Sequence, residues 1–206
     1  MAALRHFLPQ FTMPQLLSLQ TGRARRVAIN GRSVLTAIHK QAVAGPLPIL
    51  PLGLQGDEQA DLSVHGGLAK AVYAYPSEHY PLWQAARHAA GLSDIDDSLP
   101  WGSMGENLTL SGLTESAVWV GDVLRFAHCT LRVTQPREPC YKFNAAMGFN
   151  TAAKTMVQTG CCGFYLAVQK PGSLQAGEAF ELVPGPRQMG IVESFQRKMH
   201  RHQREV

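Results

Sequence analysis

Residues 134–142 read Thr-Gln-Pro-Arg-Glu-Pro-Cys-Tyr-Lys, so the thiol of Cys140 has the cations Arg137 and Lys142 close to it in sequence. Positive neighbours favour thiolate over thiol, and thiolate is both a nucleophile and a metal ligand. Pro136 and Pro139 each lock their own φ and push the preceding residue towards extended geometry, which presents Cys140 on a stiff turn. The same stretch also reads as a small buried cysteine in a Pro-rich turn. Three other segments carry residue types capable of chemistry. Residues 53–57 (Gly-Leu-Gln-Gly-Asp) and His65-Gly66-Gly67 bracket an acidic, polar segment. Glycines there either bring the backbone close to a ligand or simply make turns. Residues 105–107 (Gly-Glu-Asn) add a carboxylate and an amide.

The elements that must hold these segments are short. Residues 130–134 alternate apolar and polar side chains and read as a strand running into the Cys140 turn. Val27-Ala28-Ile29, Asn30-Gly31 and residues 34–38 read as a hairpin, because Asn-Gly suits a type I′ turn. Residues 44–54 are too rich in Pro and Gly for a helix. Residues 71–75 form a strand candidate. Ser77 is a candidate N-cap for a helix that carries Tyr80, Trp83 and Arg87 on one face and stops at Gly91. Further strands are expected near residues 105–110, 118–120, 123–126, 163–169 and 180–183, with a second helix over 151–158 ended by Gly160. Close-set strands with glycine turns predict a barrel or sandwich rather than βαβ units. The expected fold class is mainly β with a few short helices (α+β).

The chain has 206 residues, a net charge of +4, 45% hydrophobic and 17% charged residues, which suits one globular domain. Residues 1–16 read as a loosely ordered extension, 17–190 as the domain, and 191–206 as a short basic tail. Phe195 and Met199 are spaced for a helix there, with little expected for it to pack on. The four cysteines make no C-x-x-C pair and are too few for a disulfide framework, so a structural zinc site is not expected and the compartment is expected to be reducing. Cys129, Cys161 and Cys162 read as packing residues, with Cys161 or Cys162 the lesser candidate for a redox sensor. No signal peptide is evident, and no apolar run reaches the ~18 residues of a membrane span. The protein is expected to be soluble and cytoplasmic. Basic residues cluster only at Arg23, Arg25, Arg26 and in the tail, which disfavours nucleic acid as a partner.

Together the pieces resemble the MOSC domain, named after the C-terminal part of molybdenum-cofactor sulfurase, and in particular its bacterial hydroxylaminopurine-resistance subgroup. The residues that carry this are Gly53-Leu54-Gln55-Gly56-Asp57-Glu58-Gln59-Ala60-Asp61, Val64-His65-Gly66-Gly67, Lys70-Ala71-Val72, Tyr75-Pro76 with Glu78-His79-Tyr80 and Trp83, Gly105-Glu106-Asn107-Leu108, Gly121-Asp122, and Gln135-Pro136-Arg137-Glu138-Pro139-Cys140-Tyr141-Lys142. Members of that subgroup usually continue into a small helical domain, whereas this chain has only residues 191–206 beyond the resemblance.

The resemblance implies a MOSC-type β-barrel, similar to the β-barrel domain of pyruvate kinase, that binds the molybdenum cofactor (molybdopterin). It implies Cys140 as the metal ligand, in keeping with the softness of a thiolate donor. Lys40, after Thr36-Ala37-Ile38, falls where the family's early lysine would meet the pterin phosphate, and it also reads as a solvated loop lysine. Arg137 and Lys142 flank the ligand and are further phosphate candidates, with the Gly66-Gly67 backbone. Asn107 is a candidate for the pterin edge or a turn former. His65 is a candidate proton donor to a leaving oxygen or a turn residue, and Asp57 is expected to orient His65 or a backbone turn. The implied activity is two-electron reduction of N-hydroxylated substrates such as hydroxylamino-purines and amidoximes. A separate electron-donor protein would be needed. The alternative is a non-catalytic carrier of the cofactor or of activated sulfur. No Schiff-base lysine for pyridoxal phosphate is evident. Monomer and homodimer both remain open.

Overall fold

The computed structural model describes residues 13–60, 66–92, 94 and 97–204. Extended segments dominate. In chain order they are β1 (Gln15–Thr21), β2 (Arg25–Ile29), β3 (Arg32–Thr36), β4 (Gln41–Ala42), β5 (Leu47–Leu50), β6 (Gly53–Leu54) and β7 (Val72–Pro76). Helix α1 (Tyr80–Ala89) separates β7 from β8 (Leu108–Ser111), and β9 (Val123–Arg125) and β10 (Thr130–Pro136) come after it. Two short helices come next, α2 (Tyr141–Met147) and α3 (Ala152–Thr159). The chain ends with β11 (Phe164–Lys170), β12 (Gly172–Leu174), β13 (Glu181–Val183) and α4 (Ile191–Arg204). The mainly β character expected from the sequence is what the structure has.

Eight strands form one mixed sheet in the order β13-β9-β10-β11-β7-β8-β1-β4. β7 and β8 pair in parallel and the other neighbours are antiparallel. A parallel pair needs a crossover rather than a tight turn, and the segment containing α1 supplies it. Close strand spacing alone does not predict this unit. The sheet is not a closed barrel. Its β13 end is stitched to β1 by an isolated bridge between Gln15 and Ala179. Backbone bonds beside it run from Leu16 N–H to Glu178 O and from Phe180 N–H to Pro14 O, at 2.9 and 3.0 Å.

The core gathers Leu16, Leu19, Tyr75, Leu108, Leu110, Phe164 and Phe180 from the strands and their ends, with Trp83 from α1 and Phe143 from α2. Leu16 is fully buried, so the extension assigned to residues 1–16 gives up its last residues to β1. The predicted hairpin is β2–β3, with Asn30 at φ 50° and Gly31 at φ 74°. Ser77 does not cap α1. It opens a 3₁₀ turn (Ser77–His79) that leads into the helix, and its hydroxyl reaches Glu78 instead. Val118-Trp119-Val120 makes a single bridge, Trp119 to Gly190, rather than a strand. The tail helix does have a surface to pack on: Ile191 and Phe195 are buried, and Lys198 pairs with Glu138 just beyond β10. Among the described residues no helix is long and apolar enough to cross a membrane.

Candidate functional site

A cleft of about 670 Å³, counted with its open mouth, lies between the loop after β3, the loop after β6, the start of β7 and the turn after β10. Lys40, Asp57, Asn107, Arg137, Cys140 and Lys142 all line it, together with Lys70, Tyr73 and Tyr165. Six candidates separated by up to 102 positions in sequence therefore meet in one place. His65 lies outside the described residues. Gly66 and Gly67 do not line the cleft, and the Gly67 N–H donates to Gln59 Oε1 at 2.8 Å.

Cys140 is half-buried at the end of the Pro-rich turn and immediately precedes α2. None of the four cysteines is in a disulfide. Below it lies Arg137, only 4% exposed. Its guanidinium stacks on Phe143 at 4.6 Å and on Tyr73 at 5.4 Å, and one nitrogen sits 3.4 Å from Met156 Sδ. Among the described residues no carboxylate pairs with it. A buried cation normally has an anionic partner, so this one faces a cleft that can receive an anion. Lys70 stands over the Tyr165 ring at 5.7 Å. Burial lowers its pKa, Glu138 opposes that shift and Lys198 adds to it.

The opposite wall is a closed network. Lys40 forms a buried ion pair with Asp57. Asp57 also accepts the Gly22 N–H at 2.7 Å and the Asn107 amide at 2.9 Å. Asn107 in turn donates to Gln20 O at 3.2 Å and accepts the Tyr73 N–H at 3.1 Å. Burial lowers the Lys40 pKa, while the Asp57 charge and hydrogen bond act the other way. The Asn107 amide is thus committed to tying β1 and β7 to the Asp57 loop. Lys142 reaches away from Cys140 and donates to Leu35 O at 2.9 Å.

Glu106, next to Asn107, is a fully buried anchor. It accepts from Tyr80 OH, from Gly102 N–H at 2.7 Å, from Met104 N–H at 3.1 Å and from Thr109 Oγ1 at 2.9 Å. Burial raises its pKa against the pull of these donors. Gly105 beside it has φ 81°, and a Cβ there would stand 2.7 Å from Ile38 Cγ1, so only glycine lets the two loops of the cleft touch. Sequence reasoning gives no role to Lys70, Tyr73, Tyr165 or Phe143, although Lys70 stands within the Lys70-Ala71-Val72 motif. The packing of aromatic rings around Arg137 has no local sequence signal.

Among the described residues no three His, Cys, Asp or Glu side chains are grouped to hold a metal ion. The cleft offers one thiol and a set of cations. That suits a metal that arrives with its own donors on an anionic carrier rather than a bare ion.

A family model described as the MOSC domain matches residues 61–181. The protein YflK of Bacillus subtilis (strain 168) is 35% identical over 187 residues, covering 91% of this chain and 80% of its own. Protein YiiM of Escherichia coli (strain K12) is 40% identical over 148 residues, covering 72% and 64%. A Gibberella moniliformis (strain M3125 / FGSC 7600) protein named "Reductase" is 33% identical over 183 residues, and the chain spans 31% of its length. The crystal structure of YiiM from Geobacillus stearothermophilus superimposes with a TM-score of 0.69 at 31% identity, covering 94% of this chain and 86% of that one.

Proposed function

The chain belongs to the MOSC family, and from that premise we propose that it is a cytoplasmic molybdenum-cofactor enzyme reducing N-hydroxylated compounds. The observation that carries the reading is the pairing of a half-buried thiol, Cys140, with a buried guanidinium, Arg137, that no carboxylate neutralises among the described residues. The residues present fit the group. A thiolate is a soft donor for molybdenum, and Arg137 with Lys70 gives positive charge for a terminal phosphate.

When bound, the cofactor supplies the two electrons that convert an N–OH group to N–H, with water as the other product. The protein's part is to bind, orient and exclude solvent. Cys140 would be the metal's protein ligand. Arg137 and Lys70 would hold the anionic end, whereas Lys142 is engaged by Leu35 O. Lys40 is held buried in the cleft wall by its ion pair with Asp57, and Asn107 fixes the Asp57 loop to the sheet. Reduction consumes two protons, and His65 is assigned to deliver one to the departing oxygen. A separate protein must supply the electrons.

The test is to purify the chain from a host that makes the cofactor, measure bound molybdenum and assay benzamidoxime reduction with a supplied electron donor. Wild type and Cys129→Ser should hold molybdenum, because Cys129 is buried away from the cleft. Cys140→Ser should fall to background. No molybdenum in wild type would end the proposal, and bound molybdenum without turnover would favour a carrier instead.

A further inference from the structure

The last helix carries a lysine on the face that meets the sheet. In α4, Ile191 is fully buried and Phe195 is 2% exposed. Lys198 and Met199 follow at the helical spacings that put them on the same face, and Met199 packs against the core. The Lys198 ammonium donates to Gln135 Oε1 at 3.0 Å and pairs with Glu138. Both acceptors stand next to the Pro136-Arg137 step that ends β10. Gln135 is the cross-strand partner of Tyr165, and the Tyr165 ring carries the Lys70 ammonium at 5.7 Å. The residue before Lys70 is tied to the same strand, since Thr134 Oγ1 donates to Ala69 O at 2.6 Å. Lys70, which lines the cleft, and Lys198, which does not, therefore reach the end of β10 from different elements. The Glu138 charge is felt at Lys70 too, where burial lowers the pKa and Glu138 opposes it.

A carboxylate next in sequence to Arg137 is a liability for an anion site, because it competes with the ligand for the same cations. We propose that Lys198 is a positioning residue for the anion site of the cleft: it holds the Glu138 carboxylate at α4 and keeps it from neutralising Lys70. This role rests on the reading of the Arg137–Lys70 end of the cleft as the seat of a phosphate group. A purely structural purpose does not account for the pair. Both of its side chains are 31% exposed, and an ion pair so open to water adds little to stability. Ile191 and Phe195 already anchor α4 by burial. Gln135 gives the ammonium a second acceptor on β10, which fixes where the lysine stands. What the pair then determines is the place of the carboxylate, and through it the charge that an incoming phosphate meets.

The test is isothermal titration of pyrophosphate into the full chain at matched ionic strength. Wild type should bind. Lys198→Met should weaken binding about fivefold or more, and adding Glu138→Gln to it should return the affinity to within about twofold of wild type. Glu138→Gln alone should change the affinity by less than about twofold, because Lys198 already holds that carboxylate away. This single variant separates the proposal from a general field effect, in which removing either charge would shift the affinity by the same factor in opposite directions. It needs no substitution in α4, so it decides the matter even if Lys198→Met does not fold. Tightening of about fivefold in Glu138→Gln alone overturns the proposal, and so does unchanged affinity in folded Lys198→Met. Wild type that does not bind pyrophosphate overturns the anion reading itself, and the role of Lys198 with it.

Discussion

Arg137→Met separates an anion-binding role for this guanidinium from a structural one. Arg137 is 4% exposed, and its polar neighbours are neutral: Met156 Sδ at 3.4 Å and the Tyr165 hydroxyl. Keeping a cation there without an anion is costly. Stacking on Phe143 and Tyr73 offsets part of that, at ~2 kcal/mol for a desolvated pair. These terms oppose each other, and methionine refills much of the space as a flexible apolar chain. The ligand-free variant should therefore lie within about 2 kcal/mol of wild type in urea unfolding. The difference should emerge with an anion. A ligand at a hundred times its Kd stabilises the folded state by ~2.7 kcal/mol. In a domain of this size each kcal/mol moves Tm by ~2–4 °C, so saturating pyrophosphate should raise wild-type Tm by ~5–11 °C. Thermal melts at matched ionic strength should show that rise in wild type and none in Arg137→Met. An equal rise in both would refute the reasoning. A ligand-free loss of about 5 kcal/mol or more would too, because it would make Arg137 a structural residue.

Two more outcomes come from buried carboxylates. Glu106→Gln replaces one of the two acceptor oxygens with an NH2, which must then face either the Met104 N–H or the Tyr80, Gly102 and Thr109 donors, and should cost about 3 kcal/mol in urea unfolding. A loss below about 1 kcal/mol would show that the anchor is dispensable. At His79, burial acts to lower the pKa, but hydrogen bonds to Cys161 and Glu115 outweigh it and raise the value to about 10. Its folded pKa lies above the unfolded value of 6.5, so its contribution is complete below about pH 6.5 and is lost as pH rises through about 10. The stability gap between wild type and His79→Gln should therefore shrink between pH 6 and pH 10, by on the order of 2 kcal/mol with solvent screening of the partly exposed pair, and a constant gap would contradict the pairing.

The meeting of Lys40, Asp57, Asn107, Arg137 and Cys140 in one cleft is legible in the sequence through the family resemblance, and all of them but Lys40 stand in short motifs with glycine or proline. What those side chains bond to is not legible. Lys40 and Asp57 are 17 positions apart and pair because the loop after β3 meets the loop after β6. Lys142 sits two residues from Cys140 yet turns to Leu35 O, 107 positions away. The segment at Cys140 reads as a turn with no helix after it, since Pro139 marks a break and α2 has only seven residues to reveal a period. The parallel β7–β8 pair is hidden because local spacing says nothing about which edge a returning strand joins. The packing of α4 depends on apolar positions of β10 whose direction alternation leaves open.

The Lys40–Asp57 pair permits a last discrimination. In wild type Lys40 is almost fully buried, and Asp57 is the first influence that opposes the lowering of its pKa. Asp57→Asn removes that charge while leaving the ammonium buried. Breaking a buried pair from one side costs ~3–5 kcal/mol at neutral pH. The asparagine oxygen can still accept from the Gly22 N–H and Lys40, but its NH2 then faces the Asn107 NH2. Without Asp57 the folded pKa of Lys40 falls further below 10.5. Between that lower value and 10.5 the unfolded chain binds more protons than the folded one, so stability must rise with pH. Urea unfolding of Asp57→Asn should therefore recover part of its deficit, relative to wild type, between about pH 7 and pH 9.5. A deficit that stays constant over that range would mean that Lys40 escapes to solvent once released. It would then be an ordinary rim lysine, and Asp57 a turn former rather than the residue that keeps a charge inside the cleft.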